Sequence, residues 1–327
     1  MIMQVQADLA LPRRRFRMPA ETGMAAVLVA ILLIGMIATP NFLTVRNILV
    51  LLLNGSVIGF LCLGQTFVLL RGGIDLSTGS IVAMTCVLAA ILIERLGLPW
   101  PLAAVIVTGA GALTGLVSGI IIDRTGVPAF IVTFSMMGVA GAIPQIITGA
   151  ESIRVTNQDY GLIGKSYLLG IPTPVVALLV AAVLATLFLR RTVTGTHIYA
   201  VGGNAAAARL AGINVSRITL LVYSISGACA AFGGLIYGSR LMTGYPTAGR
   251  GDELFFSIAG AIVGGVSLFG GTGSILGALI GVTIIATVSN LMNVMAVSAY
   301  WQPLVIGIII LVAVTVDTMS SASRKRK

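Results

Sequence analysis

The sequence holds one histidine, His197, and three cysteines, Cys62, Cys86 and Cys229. Acid/base catalysis and metal binding both need several titratable groups that converge, and a single histidine without a carboxylate cluster makes neither. The cysteines fall inside apolar runs, where a thiol packs as a small hydrophobe, and they suggest no disulfide or Cys/His framework. No residue is therefore read as catalytic or as a metal ligand. No G-x-x-x-x-G-K-[ST] phosphate loop occurs anywhere. If this chain moves something uphill, the energy comes from another protein or from an ion gradient.

The remaining polar chemistry is uncharged. Asn54, Gln65, Gln145, Asn290 and Asn293 are amides within or near apolar runs, and Phe134 is an aromatic neighbour. Such groups suit a neutral solute, since weak hydrogen bonds let it leave again. Hydrogen bonding between helices explains each of them equally well. The stretch "RGGIDLSTGS" at 71–80 sets Asp75 and Ser77 beside two glycines just before an apolar run. Either residue can cap the helix that follows. Alternatively this irregular backbone lines a permeation path, because unpaired backbone at membrane depth is tolerated only against protein or water.

The elements that must hold these groups are helices in a bilayer. Hydrophobic residues make up 57 % of the chain and charged residues 9 %, with a mean hydropathy of +1.05. An average soluble domain carries about 25 % charged residues. Uncharged runs cover 22–45, 47–70, 76–93, 96–122, 125–150, 166–189, 218–239 and 254–316. A crossing takes about 20 residues, so the first seven runs cross once each. The last is divided into three by "GGTGS" (270–274) and by the stretch 293–303. The expectation is an all-α polytopic membrane protein of about ten transmembrane helices with both termini cytoplasmic. That orientation places 14 of the 20 Lys and Arg residues inside, including Arg71, Arg124, Arg190, Arg191 and Arg217. Arg46, Arg95, Arg154, Lys165, Arg240 and Arg250 remain outside. The +10 net charge then reflects topology and contact with membrane lipid rather than a nucleic-acid partner. The run from Thr22 lacks an A-x-A cleavage pattern and is read as a retained first helix.

Three parts follow: an N-terminal cytoplasmic segment 1–21, a transmembrane domain 22–317 with a cytoplasmic segment at 190–217, and a basic tail 318–327. Segments 150–172 and 240–253 are expected outside. Glycines recur every four residues at 111, 115 and 119, at 260 and 264, and at 277 and 281. Such faces let helices approach closely, within one subunit or between two. "TGSI" occurs at 78–81 and again at 272–275, a faint echo of an internal repeat. The predicted spans carry no charge except at edges such as Asp317. Within 190–217, Asn204 is a good N-cap, Ala205–Ala211 are helix formers, and Gly212 stands where a C-terminal cap belongs. So short a helix is marginal in water and needs a partner. Arg209 and Leu210 suit docking into another protein's groove, while a helix lying on lipid is the alternative. Ser216 is expected to cap the seventh span.

"GTHIYAVGGNAAAARLAGINVSR" (195–217) resembles the cytoplasmic coupling segment of ABC-type sugar permeases, the ribose/xylose/arabinose/galactose/autoinducer-2 group. The likeness continues through "LGQTFVLLRGGIDLSTGSIVAM", "VPAFIVTFSMMGVAGAIPQIITG" and "PTAGRGDELFFSIAGAIVGGVSLFGGTGSILGALIG". It implies a multi-pass permease of the bacterial inner membrane, not itself an enzyme. The partners implied are a second permease subunit, identical or not, an ATP-binding cassette protein that uses ATP and Mg, and a periplasmic solute-binding protein; no cofactor is held by this chain. Asn204, Ala205, Ala208, Arg209, Leu210, Gly212 and Ile213 would couple to the ATPase. Asn54, Gln65, Asp75, Ser77, Phe134, Gln145 and Asn290 would line the path of a monosaccharide or similar polyhydroxylated solute. The chain departs from the family pattern at Gly141, where an arginine is frequent, and at Phe255 and Phe256, where a second carboxylate is frequent. An ion-coupled secondary transporter is the alternative, but that class uses intramembrane charges for coupling.

Overall fold

Apolar runs fold as helices because a bilayer leaves the backbone no other partner than itself, and α5 tolerates Pro144 in its interior. A computed structural model describes residues 20–298 and 300–325. The helices are α1 (Ala20–Ala38), α2 (Val45–Leu70), α3 (Thr78–Ala90, extended by a π turn at Ile91–Arg95), α4 (Trp100–Thr125) and α5 (Ala129–Thr148). They are followed by α6 (Gly161–Gly164), α7 (Thr173–Arg191), α8 (Val193–Gly203), α9 (Ala205–Leu210), α10 (Val215–Leu241), α11 (Glu253–Val263), α12 (Ile275–Val294) and α13 (Trp301–Lys325). Among the described residues, eight helices are long and apolar enough to cross, and two shorter apolar ones, Glu253–Val263 and Trp301–Thr315, occupy the other two predicted positions. Residues 1–19, 326 and 327, with their basic side chains, and the side chain of Asp317 lie outside the described residues.

The helix ends gather in two groups. At one, Arg71 Nη2 donates to Thr219 Oγ1 (2.9 Å), Ser216 Oγ to Asp123, and Ser274 Oγ to Glu21 (2.9 Å). At the other, Thr156 donates to Glu94, Asn47 and Asn290 exchange amide hydrogen bonds, and strand β1 (Ile153–Arg154) pairs with β4 (Thr243–Gly244). A small hairpin of β2 (Tyr167–Leu168) and β3 (Ile171–Pro172) precedes α7. The basic bias assigns the Arg71 group to the inside. An impermeant thiol reagent is therefore expected to label Thr156→Cys in intact cells and to reach Ala207→Cys only after the membrane is opened. Labelling of Ala207→Cys from outside would invert the topology.

Two halves repeat one packing scheme. α10 lies against α3 and α4, and α3 against α4 and α5; likewise α2 lies against α11 and α12, and α11 against α12 and α13. The halves are inverted, because the end of α2 meets the start of α10 through Arg71 and Thr219, while Arg240 near the end of α10 bonds Leu53 and Asn54 near the start of α2. In this scheme α3 corresponds to α11. The two "TGSI" stretches open α3 and α12 instead, so their echo does not mark the repeat.

The glycine faces pack inside the subunit. Gly111, Gly115 and Gly119 of α4 lie against α10 at Gly227, Tyr223 and Leu220, and Gly260 of α11 and Gly264 just past its end against Val282 and Gly277 of α12. Helix α11 differs from its predicted span. It holds 11 residues, about 16 Å at helical rise, against a hydrocarbon layer of about 30 Å. The rest of that crossing is made by residues 243–252, which run down α3: Gly244 abuts Val87 and Ala90, and Gly249 abuts Gly79 and Val82. Helix α11 therefore begins inside the bundle.

Candidate functional site

The segment between α7 and α10 is two helices, where the sequence suggested one. Thr192 caps α8, accepting from the Gly195 N–H (3.0 Å). Asn204 then caps α9, its Oδ1 accepting from the Ala207 N–H (3.0 Å). At the far end Ile213 N–H returns to the Ala208 carbonyl (3.0 Å) and Gly212 turns left-handed at φ +83°, which only glycine adopts without strain. Both expected caps of α9 are present. Leu210 is 92 % exposed and Arg209 is exposed beside it. Asn204 and Ala205 share the exposed surface, whereas Ala208 is buried and Ile213 packs on the apolar core, so those two face this subunit. Ser216 does not cap α10: Asn214 does, accepting from the Arg217 N–H (2.9 Å), while Ser216 is spent on Asp123.

Helix α8 ties this segment to the bundle. The Tyr199 hydroxyl donates to the Gly273 carbonyl (3.0 Å). Gly202 lies against the Leu70 carbonyl and the Gly271 N–H, and those two groups bond each other (2.9 Å). The end of α2 and the loop between α11 and α12 thus meet on one glycine of the segment between α7 and α10.

Of the predicted path residues, three come together. Asp75 is fully buried; its Oδ1 accepts from the Ser77 N–H (2.9 Å) and hydroxyl (2.6 Å), and its Oδ2 from the Ser226 hydroxyl (2.7 Å). The Gln65 amide closes the knot, Nε2 donating to the Asp75 carbonyl (3.1 Å) and Oε1 accepting from its N–H (3.2 Å). Ser226 lies about 16 Å along α10 from Val215, so this carboxyl sits deep in the bundle, spent on holding residues 71–77 in place. Neither Asp75 nor Ser77 caps α3 by accepting from its first turn; Asp75 instead fixes the residue before it.

The other four are elsewhere. Asn290 is locked to Asn47 (2.8 and 3.0 Å). Asn54 accepts from Arg240 (2.7 Å) at the edge of a cavity of about 390 Å³ on the Glu94 side. Tyr237, Asp252, Glu253, Phe256 and Ser289 line that cavity too, and Glu253 Oε2 is buried without a hydrogen-bond partner among the described residues. Phe134 is 54 % exposed on α5, stacked with Phe130 at 6.1 Å. Gln145 donates to the Gly141 carbonyl of its own helix (3.1 Å). At intervals of four, three and four, Phe134, Gly138, Gly141 and Gln145 form one stripe of α5.

Sequence reasoning missed Arg240, Arg250, Asp252 and Glu253 as interior groups, because "GRGDE" reads as a surface loop. The expectation that 240–253 lies outside is corrected in part: residues 243–252 descend along α3 inside the bundle and carry Arg250 and Asp252 with them, up to Glu253 at the first turn of α11. The one cue was an apolar run too long for two helices and too short for three full ones.

The family model for the branched-chain amino acid transport system / permease component matches residues 47–314. The chain is 40 % identical to the ribose import permease protein RbsC of Haemophilus influenzae, over 91 % of this chain and 92 % of that one. It is 37 % identical to the D-allose transport system permease protein AlsC of Escherichia coli, over 90 % of each. The L-arabinose ABC transporter permease protein AraH of Azospirillum brasilense is 35 % identical over 93 % of this chain and 89 % of its own. No solved structure matches the chain.

Proposed function

The chain belongs to the branched-chain amino acid transport system / permease component family, and on that premise we propose that it is the multi-pass inner-membrane permease subunit of an ATP-driven importer for a monosaccharide or similar small polyhydroxylated solute. The observation that carries this reading is similarity over about nine tenths of both chains to permeases of ribose, allose and arabinose. The partners are an ATP-binding protein on the α9 side, a second permease subunit, and a solute-binding protein on the Glu94 side. Helix α9 supports the first of these, since a capped two-turn helix with an exposed leucine has no reason to persist without a groove to fill. ATP and Mg belong to that partner, and no cofactor is held by this chain.

Of the residues named for coupling, Asn204, Ala205, Arg209 and Leu210 make the contact, while Ala208, Gly212 and Ile213 set its angle. Asp75, Gln65 and Ser77 hold the wall of the path rather than touch solute. Asp75 already accepts from three donors and so offers no free carboxylate for ion loading, which leaves Glu253, whose Oε2 has no hydrogen-bond partner among the described residues, as the carboxylate that the gradient experiment tests. In proteoliposomes holding the chain with its ATP-binding partner, and with binding protein supplied, uptake of labelled D-ribose, D-allose or L-arabinose is expected to require internal or external ATP on the α9 side. Uptake by the chain alone under an imposed proton or sodium gradient would overturn the permease-subunit reading.

A further inference from the structure

Arg250 is exposed, yet its guanidinium lies beside the body of α5 rather than at its end. Its guanidinium carbon would be 3.6 Å from a Cβ placed on Gly141. Gly141 stands about 18 Å along α5 from Ala129 and about 10 Å short of Thr148. The charge therefore sits about two thirds of the way along a helix of membrane-spanning length, about 10 Å in from its nearer end. It makes no hydrogen bond or ion pair through its side chain among the described residues. A bare guanidinium at such depth is costly against lipid and is found facing water or another protein. Only the absence of a side chain at 141 leaves it room, since the Ser80 hydroxyl already stands 3.1 Å from the same point. Along the stripe, two turns from Gly141, is the exposed ring of Phe134.

We propose that Arg250 is a solute-contacting residue on the wall of the translocation path, its guanidinium donating hydrogen bonds to the hydroxyls of a polyhydroxylated solute as it passes the α5 stripe. This rests on the transport reading above. The planar fork of donors fits two vicinal hydroxyls at once, and the Phe134 face offers an apolar plane to a sugar ring. Gly141 is the residue that seats the fork: a Cβ there would be in ordinary contact with the guanidinium carbon at 3.6 Å but already tight against the Ser80 hydroxyl at 3.1 Å, and a longer side chain takes the place of the guanidinium.

Two measurements on the assembled transporter decide it. Arg250→Cys, with ATP-binding partner present, is expected to react with a charged methanethiosulfonate reagent at least tenfold faster than the parent, whose cysteines are buried or partly buried. Uptake of D-ribose, D-allose and L-arabinose is then compared with that of their singly deoxygenated analogues. The parent is expected to discriminate against at least one analogue, Arg250→Ala to lose at least tenfold in rate and most of that discrimination, Arg250→Lys to recover part of it, and Gly141→Leu to resemble Arg250→Ala. Equal insertion and co-purification of the variants controls for folding. An introduced thiol no more reactive than the parent, or Arg250→Ala with parental rate and discrimination, overturns the proposal. A parent that moves none of the three sugars with ATP overturns the transport reading instead, and the thiol arm still decides whether Arg250 faces water.

Discussion

Leu210→Asp should insert normally, keep its fold and lose its ATP-binding partner. Leu210 touches almost nothing in its own subunit, being 92 % exposed, so the substitution costs the fold no more than an ordinary surface change, within about 0.5 kcal/mol. The partner sees something different. The caps at Asn204 and Gly212 hold the helix rigidly, and Arg209 and Leu210 are the large side chains it presents. A few anchors dominate an interface of this kind. Burying an unpaired carboxylate in a mainly apolar groove costs about 2 kcal/mol or more, which weakens association by about 30-fold. Co-purification with the ATP-binding protein and solute-stimulated ATP hydrolysis measure it. If the variant binds and couples as the parent does, α9 is a connector on the membrane surface and not a docking element.

The order of spans was legible because charge is excluded from lipid-facing helices, so interruptions in the apolar runs mark turns. Helix α9 was legible because its caps are local chemistry: Asn204 and Gly212 act on backbone groups within four residues of themselves. Helix α8 was not, since "VTGTHIYAVGG" mixes β-branched residues and glycines, and its stability comes from Tyr199 on Gly273 and from Gly202 against Leu70, contacts that a sequence window does not contain. The half-helix α11 was hidden for a related reason. Residues 254–316 are uncharged throughout, and a window that scores hydropathy reads a half crossing and a full one alike. The path residues divide the same way. Asn54, Gln65 and Asn290 were found as polar groups in apolar runs, but the partners of Asn54 and Asn290, Arg240 and Asn47, are set by the packing of α2 against α10 and α12, and that of Gln65 by the fold-back of residues 71–77 onto α2, so the sequence could not tell a lining amide from a locked one.

Gly202→Ala is expected to leave the ATPase attached and break the transmission. A Cβ at 202 would overlap the Leu70 carbonyl and stand 2.6 Å from the Gly271 nitrogen, inside the hydrogen bond that joins those two groups. Both obstacles are backbone and cannot rotate away, so α8 must shift off the end of α2, off the α11–α12 loop, or off both. Overpacking of this sort costs about 1–3 kcal/mol, enough to unseat a junction that Leu70, Ile198 and Val201 anchor in the apolar core, while the rest of that core still holds the bundle. The adjacent position supplies the control: a Cβ on Gly203 meets nothing within 4 Å, and alanine favours the helix. Since α2 leads into the Asp75 knot and α11 carries Glu253 at its start, this junction is where movement of α9 reaches both irregular segments of the path. ATP-driven uptake by Gly202→Ala is expected to fall at least about tenfold, corresponding to about 1.4 kcal/mol of lost coupling, with co-purification unchanged and ATP hydrolysis no longer stimulated by solute. Gly203→Ala should stay within about twofold of the parent. Parental uptake by Gly202→Ala, or an equal loss in both variants, would show that the signal from α9 travels by another route, through the direct connection of Asn214 into α10.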